Sequence, residues 1–292
     1  MTVREAIVTA LHEACAQVGV EHEEPISLRE HANSLFLLPS QQIVVRLSGD
    51  SSTVECARRN VSLSKWLISQ GFPAPAPSSV EQPVQVGNNV VTFWRHYPQG
   101  DRPRPGASAL GVLLRQLHQL PSPPVKLEPY QPLQSLGVTL EKSVGLSDSD
   151  KTWLFERRHV LLTEYGQLEF PLGVGFIHGD AYPGNTLWDG SRPLLGDWDE
   201  FGTGPRELDL ANTHQGARFG RTQEERDAFA ASYGYDVTSW EGFGVLREMR
   251  DLHTLGAYIR RADAGDDDAA AELAFRVDTL RRGDTAARWN AR

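Results

Sequence analysis

The 292-residue chain predicts an α+β fold in two lobes, a small antiparallel sheet followed by a mainly helical body. Two patterns predict it. Between residues 26 and 94 short segments alternate apolar and polar residues around turn formers, the period-two signature of half-buried strands. Beyond residue 107 apolar residues recur every three or four positions, as on helices that bury one face. A third, shorter signal is an expected hairpin at 186–195, set inside the otherwise helical part.

Taken in order, residues 2–18 read as a helix, with Val3, Ile7, Leu11 and Ala14 on one stripe. Strands follow at Ile26–Leu38 and Gln42–Leu47, separated by the turn Pro39-Ser40-Gln41. His31 to Ser34 interrupts the first of these as a tight turn. Ile43-Val44-Val45-Arg46-Leu47 is β-branched and alternating, with one cation, Arg46, in its middle. A helix is expected from Ser52 to Gln70, stopped by Gly71 and Pro73. Pro73 to Pro77 is then an extended link back into the sheet. Val84–Val86 and Val90–Trp94 flank Gly87-Asn88-Asn89 as a hairpin. From Ala107 to Leu120, the residues Leu110, Leu113, Leu114 and Leu117 define a helix that Pro121 ends. Residues 121–138 are Pro-rich and expected to be irregular. Further helices are expected at 139–146, 149–166, 208–219, 222–233, 239–262 and 267–282.

The candidate chemistry lies between Phe176 and Leu210. Apolar Phe176-Ile177 leads into His178-Gly179-Asp180, and Asn185 follows after the turn formers Pro183 and Gly184. Thr186-Leu187-Trp188 and Pro193-Leu194-Leu195 read as two strands joined at Asp189-Gly190, ending on Gly196-Asp197-Trp198-Asp199. A hairpin brings its ends together, so Asn185 and Asp197 should be neighbours, with Asp180 on the adjacent loop. A carboxylate plus an amide oxygen is a hard-oxygen set suited to Mg²⁺ that keeps waters and phosphate oxygens. A separate carboxylate could accept a proton from a hydroxyl nucleophile. Those are the parts of a phosphoryl-transfer site. Each of the three residues is also a common turn former, and the bland alternative is that they only cap turns.

His178-Gly179-Asp180-x4-Asn185 with Gly196-Asp197-x-Asp199 resembles the signature of the aminoglycoside phosphotransferase and choline kinase family. Gly204-Pro205-Arg206-Glu207-Leu208-Asp209-Leu210 resembles the segment just beyond that signature in bacterial members. The resemblance implies a protein-kinase-like fold: residues 1–95 as the nucleotide-binding lobe, 96–292 as the helical lobe with the catalytic loop and substrate cleft. It implies Asp180 as catalytic base and Asn185 and Asp197 as Mg²⁺ ligands, with ATP as phosphoryl donor. Arg46 would stand where the kinase template has a Lys on the α- and β-phosphates, or else face solvent. The helix Glu that pairs with that cation is replaced by Asn60, which could bond Arg46 instead; Glu55 is the nearest acid. The turn at 31–34 matches the loop over the phosphates but has no glycine. The backbone from Phe93 to Arg95 would meet the adenine, with Trp94 either stacking or packing in the core. His118, His178 and Asp209 are expected to be scaffolding, and Asp199 and Glu200 either hydrogen-bond acceptors near the metal or solvated turn residues.

Net charge is −9, which argues against nucleic acid or an anionic membrane surface as partner. Two cysteines, Cys15 and Cys56, without metal-ligand spacing suit a reducing cytoplasm. No apolar run reaches the roughly 20 residues that span a bilayer, and the N-terminus lacks a signal peptide's apolar core. The expected activity is phosphorylation of a hydroxyl on a small polar metabolite or antibiotic, such as an aminoglycoside. An amino-bearing acceptor is suggested by Asp236, Trp240, Glu241, Glu248, Asp251 and the acidic run 263–268 along the helical lobe. The alternatives are a catalytically inactive nucleotide-binding module, a metal-dependent hydrolase and a structural protein.

Overall fold

A computed structural model describes residues 3–21, 23–30, 33–49 and 53–290. Of the expected phosphate-loop turn at His31 to Ser34, His31 and Ala32 lie outside the described residues, while Asn33 and Ser34 belong to a strand, Asn33–Leu38. The chain divides into two compact units: residues 1–105, 120–127 and 184–200 form unit 1, and residues 106–119, 128–183 and 201–292 form unit 2.

Unit 1 contains α1 (Val3–Val18), β1 (Ile26–Glu30), β2 (Asn33–Leu38), β3 (Ile43–Ser48), α2 (Val54–Ser69), β4 (Val84–Val86) and β5 (Asn89–Arg95). The strands form one antiparallel sheet in the order β1-β2-β3-β5-β4. Alternation decides its faces. Val45 and Leu47 of β3 join Val91 and Phe93 of β5 in a core against Leu11, Ala14 and Cys15 of α1, so Arg46 takes the opposite face. Burial pushes the Cys15 thiol up to about 11, which keeps it a protonated core side chain. The Thr53 hydroxyl caps α2 by accepting from the Cys56 N–H. At its other end Gly71 N–H bonds Ile68 C=O and Phe72 N–H bonds Leu67 C=O, the paired bonds of a Schellman turn.

Unit 2 contains α3 (Ala107–Leu117), α4 (Gln134–Lys142), α5 (Asp148–Tyr165), β6 (Val174–Ile177) and, after residue 200, β9 (Gly202–Pro205), α6 (Glu207–His214), α7 (Gln223–Tyr233), α8 (Phe243–Asp263) and α9 (Asp267–Arg281). The hairpin β7 (Thr186–Asp189) and β8 (Arg192–Leu195) lies in unit 1, in the register Thr186 to Leu195. Unit 2's core gathers Leu136 and Leu140 of α4, Leu154 and Leu161 of α5, Leu246, Met249, Leu252, Leu255 and Ile259 of α8, and Leu273 and Val277 of α9.

Several helices differ from expectation: α3 ends at Leu117 rather than Leu120, and α8 begins at Phe243 rather than at 239. The one expected at 139–146 runs instead from Gln134 to Lys142. Leu136 and Leu140, four apart and buried, give it a docking face. Asp263 then ends it by accepting from the Ser143 hydroxyl and the Gly145 N–H. The helix expected at 208–219 is α-helical only to His214 and continues as a 3-10 turn, Gln215–Phe219. The acidic run at 263–268 proves to be helix punctuation: Asp266 caps α9 through the Ala269 N–H, and Asp267 and Asp268 occupy its first turn.

His214 of α6 is buried edge-on between Phe229, at 5.9 Å, and Phe243, at 5.4 Å. Burial lowers its pKa to about 4, so the folded chain holds it neutral while the unfolded chain protonates it near pH 6.5. A depressed histidine pKa makes folding stability fall as pH drops through the window from about 6.5 to 4. His214→Gln should flatten that part of the stability–pH curve measured by urea unfolding. An unchanged slope would take His214 out of the acid response.

Candidate active site

The predicted site residues fall in both units, and each group is built within its own unit. In unit 1, Arg46 projects from β3 between Leu35 and Thr92, its neighbours on β2 and β5. Both its terminal nitrogens donate to the Asp199 carboxylate, one oxygen each, and the Nη1 bond is 3.0 Å. From α2, Asn60 Nδ2 donates to the same Asp199 Oδ1 at 2.8 Å. The expectation that Asn60 or Glu55 would partner Arg46 is thereby corrected. Asp199 supplies the carboxylate, and Asn60 orients it. Burial by itself lowers the Arg46 pKa, but the hydrogen bond to Asp199 and the charges of Asp199 and Asp197 outweigh it and raise it. Arg46 is a fixed cation on the sheet face away from the core.

The β7–β8 hairpin closes where the sequence predicted. Gly196 N–H donates to Asn185 C=O at 2.9 Å, so the chain stretches carrying Asn185 and Asp197 lie side by side. The Thr186 hydroxyl donates to Pro105 C=O and Leu195 N–H donates to Pro73 C=O, which ties the hairpin to the rest of unit 1. Trp198 is buried edge-on against Phe72, ring centres 5.9 Å apart. Asp197 stands at φ 60°, a left-handed conformation that a non-glycine residue holds at a cost of about 1 kcal/mol or more. Among the described residues no group of three or more His, Cys, Asp and Glu side chains could hold a metal ion. One carboxylate and one amide remain, an oxygen-only pair that fits a hard cation completed by water and phosphate rather than a transition metal.

The hinge expectation needs correction. Phe93 is fully buried. Its N–H donates to Gln82 Oε1 at 2.8 Å, and its C=O accepts from Ser78 N–H at 2.8 Å. Arg95 N–H donates to Ala76 C=O at 2.9 Å. These groups are therefore taken up inside unit 1 and are not an open edge for a base. Trp94 is half-buried, its Nε1–H on the Thr92 hydroxyl, and Arg95 is exposed beside Asp189.

In unit 2, Ile177 anchors β6 in the core and the loop after it carries Asp180. Gly179 takes φ 85°, which turns the loop so that consecutive N–H groups face inward. Fully buried Asp209 receives them: Oδ2 accepts His178 N–H and Oδ1 accepts Gly179 N–H, both at 2.8 Å. Its third donor is His118 Nε2 at 3.0 Å, and His118 Nδ1 meets the Tyr233 hydroxyl at 2.8 Å. Burial pushes the Asp209 pKa up, but His118, and His178 through its charge and its backbone N–H, pull it down further, so it stays ionised. Asn212 adds a bond from Nδ2 to Gly179 C=O at 2.8 Å. Gly111 on α3 makes this brace possible, since a Cβ there would lie 2.6 Å from Phe229 C=O and hold α7, with Tyr233, away.

Asp180 itself pairs with Arg250 of α8 at 2.6 Å. Arg250 Nε donates to Gln215 Oε1 at 3.1 Å, which fixes its direction. His253, one turn along α8, has its pKa lowered to about 4 by burial and the nearby Arg250, so it is neutral near pH 7. Sequence reasoning missed Arg250, because nothing in the pattern of α8 separates it from Arg247 or Arg260.

Of the residues expected to form an acidic cleft, Asp236, Trp240, Glu248 and Asp251 are engaged elsewhere. Asp251 is buried and bonds Arg218 at 2.8 Å and Gln215 at 3.1 Å, while Glu248 is clamped by Arg157. Asp236 caps a turn by accepting from Thr238 N–H, and the Trp240 ring packs on Phe170.

This small antiparallel sheet, helical second unit and braced His-Gly-Asp loop define a kinase-like fold. Solved structures share it. An amicoumacin kinase, hAmiN, in complex with AMP-PNP, Ca²⁺ and Ami superposes with a TM-score of 0.77 at 13% identity, covering 99% of this chain and 98% of that one. A microcompartment-associated aminopropanol kinase gives 0.72 at 15%, covering 96% and 99%. A choline/ethanolamine kinase family protein from Mesorhizobium loti gives 0.66 at 16%, covering 94% of both chains. Among curated proteins no sequence matches significantly. The family model of the APH phosphotransferase enzymes matches residues 23–252, and the chain belongs to that family. It is a phosphotransferase with hydroxyl groups as acceptors, in the class of small-molecule kinases.

Proposed function

We propose that the chain transfers the terminal phosphoryl group of ATP to a hydroxyl of a small polar acceptor, with Mg²⁺ as the metal. The observation that carries this is the His178–Asp180 loop, pinned by a buried carboxylate so that Asp180 has a fixed position. Asp180 is assigned as the base: it orients the acceptor hydroxyl and takes its proton as the acceptor oxygen bonds to phosphorus. The bond from that phosphorus to the bridging oxygen breaks, and ADP leaves with the electron pair. Arg250 and Gln215 keep the Asp180 carboxylate in one orientation. Asn185 and Asp197 are assigned as the metal ligands; the cation, when bound, neutralises charge on the phosphates. Arg46, held by Asp199 and Asn60, is assigned to the α- and β-phosphates. The base of the nucleotide is assigned to the half-buried Trp94 ring by stacking, and not to the backbone of Phe93 and Arg95, whose groups are taken up inside unit 1.

An amino-bearing acceptor remains the class we favour, since aminopropanol is named for one similar fold and choline or ethanolamine for another. Glu248 and Asp251 are not its partners, and Arg250 keeps any ammonium group away from Asp180. The test is ATP consumption with Mg²⁺ across a panel of hydroxylated amines, amino sugars and neutral sugars. Turnover with none of them would sink the assignment. Arg46→Gln should weaken Mg·AMP-PNP binding by about 10- to 100-fold, the equivalent of losing one charge-assisted contact of roughly 1.5–3 kcal/mol. Unchanged affinity by calorimetry would remove Arg46 from the phosphates.

A further inference from the structure

We infer that unit 2 carries a second anion-binding site, separate from the phosphoryl-transfer residues and wired to the catalytic loop. A hollow of about 330 Å³ opens between the end of α3, the start of α6 and the end of α7. Its polar lining is made of Arg115, His118, Gln119, Arg206 and Tyr233, and it contains no carboxylate. Arg115 is exposed at the rim and, among the described residues, has no hydrogen bond or ion pair. Arg206 gives Nη1 to Leu172 C=O, while its Nε is buried without a partner and, among the described residues, no acid pairs with it. Two buried acids lie behind it: Glu207, whose Oε1 accepts the Leu172 N–H while its Oε2 has no hydrogen-bond partner, and Asp209, which His118 holds; neither lines the hollow.

Two guanidinium groups with unanswered charge, facing one hollow, favour an oxyanion, because each offers donors and no acceptor. The ligand class is a phosphate or carboxylate carried by a small molecule, since the hollow exceeds a single oxyanion in size. The floor connects to the chemistry. The Tyr233 hydroxyl bonds His118, His118 bonds Asp209, and Asp209 holds the His178 and Gly179 N–H groups. Burial raises the Tyr233 pKa, Asp209 and Glu207 add to that, and Arg206 and Arg115 act against it. An anion between them changes the field at the outer end of that chain.

Calorimetry on the full chain, with inorganic phosphate and malonate as probes at matched chloride, tests the site. Saturable binding is expected for at least one probe. Arg115→Gln, which removes one charge-assisted contact, and independently Gln119→Glu, which places a carboxylate against the anion, should each weaken it by about tenfold or more. Binding of phosphate alone assigns a phosphoryl ligand, and binding of malonate alone a carboxylate. Absence of saturable binding by either probe overturns the inference. So does binding that both variants leave unchanged, which would place the anion elsewhere, for example at Arg46.

Discussion

Asp180→Asn should retain Mg·AMP-PNP binding while kcat falls by about 10²–10⁴-fold, the usual contribution of a positioned general base. The substitution is nearly isosteric and leaves an oxygen for Arg250, so the loop and its ion-pair partner should stay in place. What disappears is the proton acceptor at the point of attack. The readout that matters is the split: nucleotide affinity by calorimetry unchanged, kcat collapsed. A variant with near-normal kcat would take Asp180 out of the base role. Loss of nucleotide binding in parallel would instead mean that Asp180 acts on the nucleotide.

Asp209→Ala should be the most damaging single change to stability, at roughly 3–5 kcal/mol, since each buried donor left unpaired costs about 1–3 kcal/mol. It would orphan three buried donors together: the N–H groups of His178 and Gly179 and the ring of His118. Asp209→Asn keeps one acceptor oxygen but turns the other into a donor, and should cost less. Urea unfolding of both variants against the parent chain checks the ranking. A loss below about 1 kcal/mol for the alanine variant would show that the loop is held by Asn212 and the strand pairing of β6 with β9 instead.

Both predictions depend on a division between local and long-range information. The strand at 43–47, the helix ended by Gly71 and the hairpin around Asp189-Gly190 follow from alternation, helix-stop chemistry and turn residues acting over a few positions. That the stretches carrying Asn185 and Asp197 would lie side by side could be read from spacing, because the hairpin between them is set by the same short stretch of chain. The acid on Arg46 could not, because Asp199 lies 153 residues away and no local rule favours it over Asn60 or Glu55. Nor could the partner of Asp180, since Arg250 is one of several arginines on α8. The acidic face read from Glu248 and Asp251 failed for the same cause: Arg157 and Arg218 come from other elements and cancel it. Periodicity and turn chemistry are short-range and visible in the sequence. Which charges meet is decided only when distant elements pack, because a buried or half-buried ion needs a partner wherever the fold can bring one.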